Sequence, residues 1–193
     1  MNLKGKTIIL GSNSPRRKEL LAGLDIEFTV DTGNNFEEVY DPATPIESIP
    51  EVLSEGKSYG FHRELDDNEI LITSDTLVLC GDRVMGKPHS REEAIDMLQY
   101  LSGREHKVIT AITLRDNKKC ITSSDTAIVY FKELSINEIE YYIDNYKPYD
   151  KAGAYGIQEW IGYAGIGKIE GSYFTIMGLP VHQVYQELDK FIG

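Results

Sequence analysis

Apolar positions along the chain occur in short continuous runs, typical of strands, and in stripes at helical spacing. In the first half, runs at 6–10 (KTIIL), 27–33 (EFTVDTG) and 69–80 (EILITSDTLVLC) predict three strands. In the second half, HKVITAITLRD and TAIVYFKEL predict two strands on either side of a turn near Asp116 and Asn117, and GYAGIGKIEGSYF predicts a strand and a turn. The dipeptide GD at 81–82 predicts a hairpin-type turn after the third run.

Helix starts are marked by serine followed by proline or by glutamate three positions later. Ser14 precedes Pro15, and capping-box patterns occur at Ser90 with Glu93 and at Ser135 with Glu138. Further helices are predicted from 50 to about 62 and after Pro180, while KPYDKAGAYGIQ predicts a glycine-rich loop. This mixture of strands and helices predicts an α/β fold with a mixed, curved sheet, in one domain over residues 1–193.

The two cysteines, Cys80 and Cys120, form no CxxC pair, which favours a reducing compartment, and we expect a cytoplasmic protein without a disulfide framework. The short apolar run near the N-terminus does not resemble a signal segment, and no run approaches the roughly 18 apolar residues of a membrane span. We therefore expect no membrane partner.

The chain carries 31 acidic and 20 basic residues, and its formal net charge is −11. Nucleic-acid binding needs a basic surface, so this balance argues against a nucleic-acid partner. The 12 tyrosines allow a weak alternative, a single-strand binder that stacks bases, but the acidity would repel a polyanion. The balance does not exclude a small anionic ligand in one local basic pocket.

Positive charge is concentrated at LGSNSPRRKELLAGL, although the whole chain is acidic. Residues 1–24 contain five basic residues and one acidic residue, a local charge of +4. A strand, a short polar loop and a helix N-terminus form an anion site, because free N–H groups and the helix dipole point at one place. Ser12 and Ser14 add hydroxyl groups, and Arg16 and Arg17 add planar forks for phosphate oxygens. The alternative is a solvated basic helix face; the P-loop pattern GxxxxGK[ST] is absent.

Acidic residues form a second group of candidates. Asp75 interrupts an apolar strand, where an unpaired carboxylate is costly, so it is either a structural acceptor or a metal ligand or base. Glu37 and Glu38 follow the second strand and taken alone are typical of a solvated loop. With Asp75 they can supply oxygen ligands for Mg²⁺ or Mn²⁺, which take one or two carboxylates plus substrate phosphate.

Other candidates have both an ordinary and a functional interpretation. Thr76 can bind a ligand or satisfy its neighbours, and Lys57 and Lys87 are surface lysines by type. Lys87 lies in GKP, where glycine and proline restrict the backbone, and is the better candidate. Gln158 ends AGAYGIQ, where its amide can recognise the edge of a base or cap a turn.

Four segments in this order, SNSPRRKELL, SDTLV with GKP, LSGREHKVIT, and YDKAGAYGIQ with GSYFTIMGLP, resemble the Maf family of nucleoside triphosphate pyrophosphatases. The resemblance covers about Thr7 to Leu188. DKAGAYGIQ, with His106 after SGR, looks like the dTTP and UTP branch rather than the branch preferring 7-methyl-GTP. The family implies an elongated, ITPase-like fold with two lobes around a cleft, and hydrolysis of a nucleoside triphosphate to the monophosphate and pyrophosphate by attack at the α-phosphorus.

The resemblance also implies roles for single residues. The residues of the phosphate-binding S-x-S-x-R-R motif are Ser12, Ser14, Arg16 and Arg17. The residues associated with base selection are Arg16, Thr76 and Gln158. Asp75 is the proton acceptor or metal-linked carboxylate, with Glu38 of the acidic loop and the lysines Lys57 and Lys87. A divalent cation (Mg²⁺, Mn²⁺ or Co²⁺) held by Asp75 and Glu38 and a homodimer are implied as well.

Two departures from the family pattern stand out. The helix with Lys57 reads SEGKSYGF, and Gly56 and Gly60 weaken a helix by about 1 kcal/mol each. The acidic loop reads NNFEEVYDP, so Glu37 and Glu38 compete for one role. The competing function is a non-catalytic, nucleotide-binding regulator of septum formation; the presence of Asp75 and Lys87 favours the enzyme.

Overall fold

The computed structural model describes all 193 residues, Met1–Gly193. The chain forms two compact units. Unit 1 contains Met1–Asp75, Thr110–Asp125 and Gly178–Gly193, and unit 2 contains Thr76–Ile109 and Thr126–Met177. The expectation of one domain over residues 1–193 stays a prediction.

Seven strands form one sheet in the order β2-β1-β3-β5-β6-β7, with β4 paired to β3. Their bounds are β1 Thr7–Leu10, β2 Phe28–Val30, β3 Glu69–Cys80, β4 Arg83–Met85, β5 Glu105–Arg115, β6 Cys120–Phe131 and β7 Ile166–Glu170. β1 pairs in parallel with β2 and β3, whereas β4 and β7 pair antiparallel with β3 and β6. The sheet is therefore mixed, which confirms the predicted α/β class.

Seven α-helices accompany the strands: α1 Pro15–Ala22, α2 Ile49–Tyr59, α3 Arg91–Leu101, α4 Ile136–Tyr146, α5 Trp160–Gly165, α6 Tyr173–Met177 and α7 Val181–Ile192. Single 3-10 turns occur at Ile46–Ser48 and Ala152–Ala154. None of the helices has the length and apolar character needed to cross a membrane.

In unit 1 the core lies along β1 and the first half of β3. Ile8, Ile9 and Leu10 are fully buried, and they pair with Ile70, Leu71 and Ile72 in parallel register. Such continuous apolar runs are typical of parallel strands that are covered on both faces. The polar loop after β1 and the polar residues within β3 are thereby held at fixed positions.

Unit 2 contains the hairpin of β3 with β4 and the packed helix pair α3 and α4. Gly81 forms the hairpin turn with φ +58°, as the GD dipeptide predicted. Arg91 at the start of α3 donates to both carboxylate oxygens of Asp144 on α4, at 2.8 and 3.0 Å. At Ser135 both reciprocal hydrogen bonds of the predicted capping box are present.

The structure departs from the predicted elements at the start of β6, around β7 and at Ser90. β6 begins at Cys120, six positions before the predicted run. The apolar pattern did not indicate residues 120–125 as strand, because they are largely polar. The short helices α5 and α6 replace parts of the predicted strand and turn around β7. At Ser90 only half of the capping box forms, since the Glu93 carboxylate accepts from the His89 amide instead.

Candidate active site

The loop after β1 and the first turn of α1 present hydroxyl and guanidinium groups at one helix end. Ser14 is the N-cap, and its hydroxyl accepts from the Arg17 amide at 3.5 Å, with Pro15 at the first helical position. The Ser12 hydroxyl accepts from the Ser14 amide at 3.2 Å. The two serines therefore fix the loop conformation and hold their own oxygens near the N-terminus of α1, as the sequence predicted.

Arg17 is held by a backbone carbonyl from the C-terminal segment of unit 1. Its Nε donates to the Gly178 carbonyl at 2.8 Å, and its Nη1 approaches the Ser12 hydroxyl at 3.5 Å. Burial lowers the pKa of Arg17, and the neighbouring Arg16 lowers it further, whereas Asp75 and Glu38 raise it. An arginine stays protonated despite such shifts, so Arg17 is a fixed positive charge beside two carboxylates.

Gly178 joins α1 to β3 as well. Its carbonyl also accepts from the Ser74 hydroxyl at 3.3 Å, and its φ of +112° is a conformation that favours glycine. One carbonyl thus binds the arginine of the helix end and a serine of the strand that carries Asp75.

Alternation along β3 turns Thr73 and Asp75 to one face, toward α2. The Thr73 hydroxyl donates to the Ser54 carbonyl at 2.8 Å, and Asp75 meets Lys57, three residues further along the helix. The strand and helix therefore present Asp75 and Lys57 to each other through a fixed two-point contact.

Lys57 lies between two carboxylates. Its Nζ is 2.6 Å from Asp75 Oδ1 and 2.8 Å from Glu38 Oε1. The side chains of Lys57 and Asp75 are 20% and 14% exposed, whereas that of Glu38 is 60% exposed. The cluster carries one positive and two negative charges. Of the two adjacent glutamates, Glu38 is the one that makes this ion pair.

The acidic loop is attached to α2 just before Glu38. The Asn34 side chain donates to the Lys57 carbonyl at 2.5 Å and accepts from the Phe36 amide at 2.8 Å. The Phe36 ring occupies the space beside Gly56, and its backbone lies against Gly60. The two glycines that were expected only to weaken α2 therefore admit the loop that carries Glu38.

Three predicted residues belong to unit 2. Thr76 follows Asp75 on β3 and is half-buried, while Lys87 is exposed just after β4. Gln158 is in the loop after Ala152–Ala154, and its Oε1 is buried without a hydrogen-bond partner. The segments of Lys87 and Gln158 meet where the Gly153 amide donates to the Gly86 carbonyl at 3.0 Å.

The loop of Gln158 rests on a buried polar framework. His106 is 2% exposed, its Nε2 lies 2.7 Å from the Tyr155 hydroxyl, and burial lowers its pKa to about 4. The Lys151 ammonium contacts Glu159 at 3.0 Å, and the Tyr142 hydroxyl donates to Glu159 and accepts from the Gly156 amide. The residues flanking Gln158 on both sides are thereby fixed.

The structure thus brings seven of the ten predicted residues into unit 1: Ser12, Ser14, Arg16, Arg17, Glu38, Lys57 and Asp75. Among these, direct contacts link Lys57 to both carboxylates and Arg17 to both serines. The roles of all ten residues stay predictions.

No group of three or more His, Cys, Asp or Glu side chains is arranged to hold a metal ion. The two carboxylates at Lys57 are nevertheless a suitable donor set for Mg²⁺, which needs only one or two protein carboxylates when substrate phosphates and water complete its shell. One of them, Glu38, is largely exposed and so accessible to such a shell. The chemistry of this pair therefore fits a substrate-bound divalent cation.

Sequence reasoning missed three contributors to this site. Gly178 acts through its carbonyl, so the only available signal was a glycine before LP at a helix start. Asn34 and Phe36 act through the backbone and side of α2, and the available signal was the pair Gly56 and Gly60, which was interpreted as a weakness.

Comparisons with known proteins agree on one family. The family model described as Maf-like protein matches residues 7–191. The chain is similar to the dTTP/UTP pyrophosphatase of Parabacteroides distasonis, with 48% identity over 98% of both chains. It is also similar to proteins of the same name from Porphyromonas gingivalis W83 (46% identity, 98% of this chain and 96% of the relative) and Flavobacterium johnsoniae (44%, 98% and 97%).

Among solved structures, a HAM1 protein from Coxiella burnetii aligns over 96% of this chain and 99% of its own, with 13% identity and a TM-score of 0.48.

Proposed function

The chain belongs to the Maf-like family, and on this premise we propose that it is a nucleoside triphosphate pyrophosphatase that hydrolyses dTTP and UTP to the monophosphate and pyrophosphate. Its role is to remove these nucleotides, and related modified pyrimidine nucleotides, from the pool. The observation that carries the proposal is the Lys57 ammonium between Asp75 and Glu38, in the same unit as the helix end with Arg17.

Phosphate binding is assigned to the start of α1. A helix N-terminus supplies N–H groups and a positive dipole end, and guanidinium groups neutralise phosphate oxygens. Ser12, Ser14, Arg16 and Arg17 offer these groups, and the Gly178 carbonyl fixes the direction of the Arg17 side chain. This arrangement supports a bound triphosphate tail.

Asp75 is the proposed base for the attacking water. Its carboxylate is mostly buried and held by Lys57, so it has a fixed direction, as a general base requires. Lys57 balances one of the two negative charges that would otherwise repel the triphosphate. Water attacks the α-phosphorus, its proton passes to Asp75, and pyrophosphate leaves.

Asp75 and Glu38 are also the residues that would hold a divalent cation, Mg²⁺, Mn²⁺ or Co²⁺. When bound, such an ion supplies charge neutralisation on the phosphates and acidity for the water. The exposed Glu38 carboxylate and the substrate phosphates together give the oxygen ligands that these ions prefer.

Base selection is assigned to Gln158, with Thr76 and Arg16. The Gln158 Oε1 is buried and lacks a partner, so turning the amide toward a ligand would cost that oxygen no hydrogen bond inside the protein. Uracil and thymine carry an N3–H donor, which cytosine lacks. An acceptor aligned with N3 therefore favours UTP and dTTP over cytidine nucleotides, which present an acceptor at N3 and their donor at the N4 amino group.

The regulator of septum formation, the competing function, is not favoured, because the relatives are named as pyrophosphatases and this chain has both carboxylates and both lysines. The proposal includes a homodimer, which the family resemblance supports. It also includes a cytoplasmic location, which the two cysteines without a disulfide support.

Pyrophosphate release from a panel of triphosphates tests the proposal. The panel contains dTTP, UTP, dCTP, dGTP and 7-methyl-GTP, each with Mg²⁺, Mn²⁺ or Co²⁺ and with excess EDTA. We expect release from dTTP and UTP that depends on the metal. Absence of release from every nucleotide would contradict the proposed enzyme and favour a regulator.

The matched control is Asp75→Asn, which keeps the shape of the side chain and removes its negative charge. We expect it to bind dTTP and to lose turnover. Wild-type turnover in this variant would contradict the assignment of the base.

A further inference from the structure

We infer that Phe36 is a positioning residue for the reaction: its ring and backbone, received by a notch at Gly56 of α2 and at the C-cap Gly60, hold Glu38 on Lys57. The inference rests on the proposed function, since it assigns Glu38 and Lys57 to the site. It adds a residue that touches neither substrate nor reacting atoms and acts through another side chain.

The notch depends on the absence of two side chains from one face of α2. A Cβ atom added at Gly56 would lie less than 3.0 Å from three carbon atoms of the Phe36 ring. A Cβ at Gly60 would lie 2.5 Å from the Phe36 Cβ and 2.8 Å from its amide nitrogen. Gly56 and Gly60 are four residues apart, so they are on the same side of the helix, one turn above the other. Their spacing matches one aromatic residue and its backbone.

Backbone and side-chain hydrogen bonds place the loop in the notch. Asn34 caps the Lys57 carbonyl, one of the carbonyls at the helix end, at 2.5 Å. The Asn35 amide donates to the Gly60 carbonyl at 2.8 Å, and the His62 amide donates to the Gly33 carbonyl at 3.1 Å. The segment 33–36 is thus fixed along the end of α2, with Phe36 as its last anchored residue.

Glu38 is two residues beyond this anchor, and its own side chain is 60% exposed. An exposed ion pair is weak by itself, because water competes and two long side chains must be ordered. The preceding anchor orders the chain two residues before Glu38 and so stabilises the 2.8 Å contact between Glu38 and Lys57. Phe36 is half-buried and supplies it, and the residues after Glu38 are exposed.

At a helix position that faces no side chain, a glycine-to-alanine substitution is expected to raise stability rather than lower it. Alanine is a much better helix former than glycine, so Gly56→Ala would stabilise an isolated α2. In this protein the added methyl group displaces the ring, so we expect the variant to lose stability and the loop to be released. The sign of the change separates the two interpretations.

The test uses the full-length protein in four forms besides the wild type: Gly56→Ala, Phe36→Ala, the double variant, and Gly167→Ala as the control. Gly167 is in β7, and a Cβ added there would meet nothing within 4 Å. Hydrogen exchange of the peptide 33–40, the thermal midpoint, and kcat and KM for dTTP are measured for each form.

For Gly56→Ala we expect faster exchange at 33–40, a lower midpoint, and a kcat reduced by about tenfold or more, with KM within about twofold. KM is retained because the phosphate-binding end of α1 is untouched. Phe36→Ala shows the same faster exchange and lower kcat. The double variant has a higher midpoint than Phe36→Ala, because alanine at position 56 then meets no ring and is a better helix former than glycine, but its kcat stays low. Gly167→Ala matches the wild type.

Wild-type exchange and kcat in Gly56→Ala and Phe36→Ala would overturn the inference. Faster exchange with an unchanged kcat would also overturn it, because Phe36 would then hold the loop without serving the reaction. If Gly56→Ala does not fold, Phe36→Ala, which only removes atoms, decides the matter. A wild-type chain that releases no pyrophosphate contradicts the proposed function, and the exchange rates then decide whether Phe36 anchors the loop.

Discussion

Lowering the pH from 7 to 5 should destabilise the protein through His106, a residue beneath the loop of Gln158. The ring is 2% exposed, it contacts the aromatic rings of Phe131 and Tyr155, and its Nδ1 is buried without a hydrogen-bond partner. A second proton on the ring would bring a charge without a counterion into this environment. The folded protein therefore keeps His106 neutral, and burial lowers its pKa from 6.5 to about 4.

The sign and size of the effect follow from the two pKa values. Well above pH 6.5 the ring is neutral in both states, and His106 does not affect stability. Between pH 6.5 and about 4 the unfolded chain takes up a proton that the folded chain refuses, so stability falls as the pH falls. At about 1.4 kcal/mol per pH unit, the loss is about 2 kcal/mol between pH 7 and pH 5 and levels off near 3 kcal/mol below pH 4.

Urea denaturation at pH 7, 6 and 5 measures this loss, with His106→Gln as the matched variant. Glutamine can still hydrogen-bond the Tyr155 hydroxyl but does not titrate, and the acidic residues common to both proteins cancel in the comparison. We expect the wild type to lose about 2 kcal/mol more than the variant over this range. Parallel pH profiles for the two proteins would refute the reasoning.

Three further predictions concern the contacts around Asp75. Arg17→Lys removes the guanidinium group that donates to Gly178, and we expect kcat/KM for dTTP to fall by about tenfold or more; an unchanged value would contradict a role of this group in phosphate binding. Gly178→Ala forces a side chain into φ +112°, so the unfolding free energy measured in urea should fall by about 1–3 kcal/mol, and no change would contradict the assigned backbone strain. Lys57→Met leaves Asp75 and Glu38 without their shared cation; we expect a loss of about 1–2 kcal/mol, intermediate between exposed and buried pairs, and its partial recovery in Lys57→Met with Asp75→Asn, measured in the same way. Additive losses in that pair of variants would show that the ion pair is not coupled.

The long elements were predictable because burial imposes a clear pattern. β3 has its predicted limits, 69 and 80, since its apolar run is interrupted only at the polar residues around Asp75. The start of α1 was equally clear, because Ser14 and Pro15 specify a cap by local chemistry. The same local rules failed at α5 and α6, which have six and five residues and depend on packing rather than on their own propensity.

At the candidate site, residue types were predictable and contacts were not. Asp75 was identified by the cost of a carboxylate in an apolar strand, but its partner Lys57 is 18 residues away and has no local signal. The two glycines of α2 had an intrinsic cost, which is all that a sequence reveals. Their function depends on the Phe36 ring, 20 residues before Gly56 in the chain, which only the fold brings to them.

The central claim is that a water attacks the α-phosphorus of dTTP at the cluster of Asp75, Lys57 and Glu38. The most direct measurement is product analysis after turnover of dTTP in ¹⁸O-labelled water, with the wild type and Asp75→Asn. The account predicts dTMP that carries the label and unlabelled pyrophosphate in equal amounts from the wild type, and no product from the variant. Formation of dTDP and phosphate, label in pyrophosphate, or undiminished turnover in Asp75→Asn would contradict it.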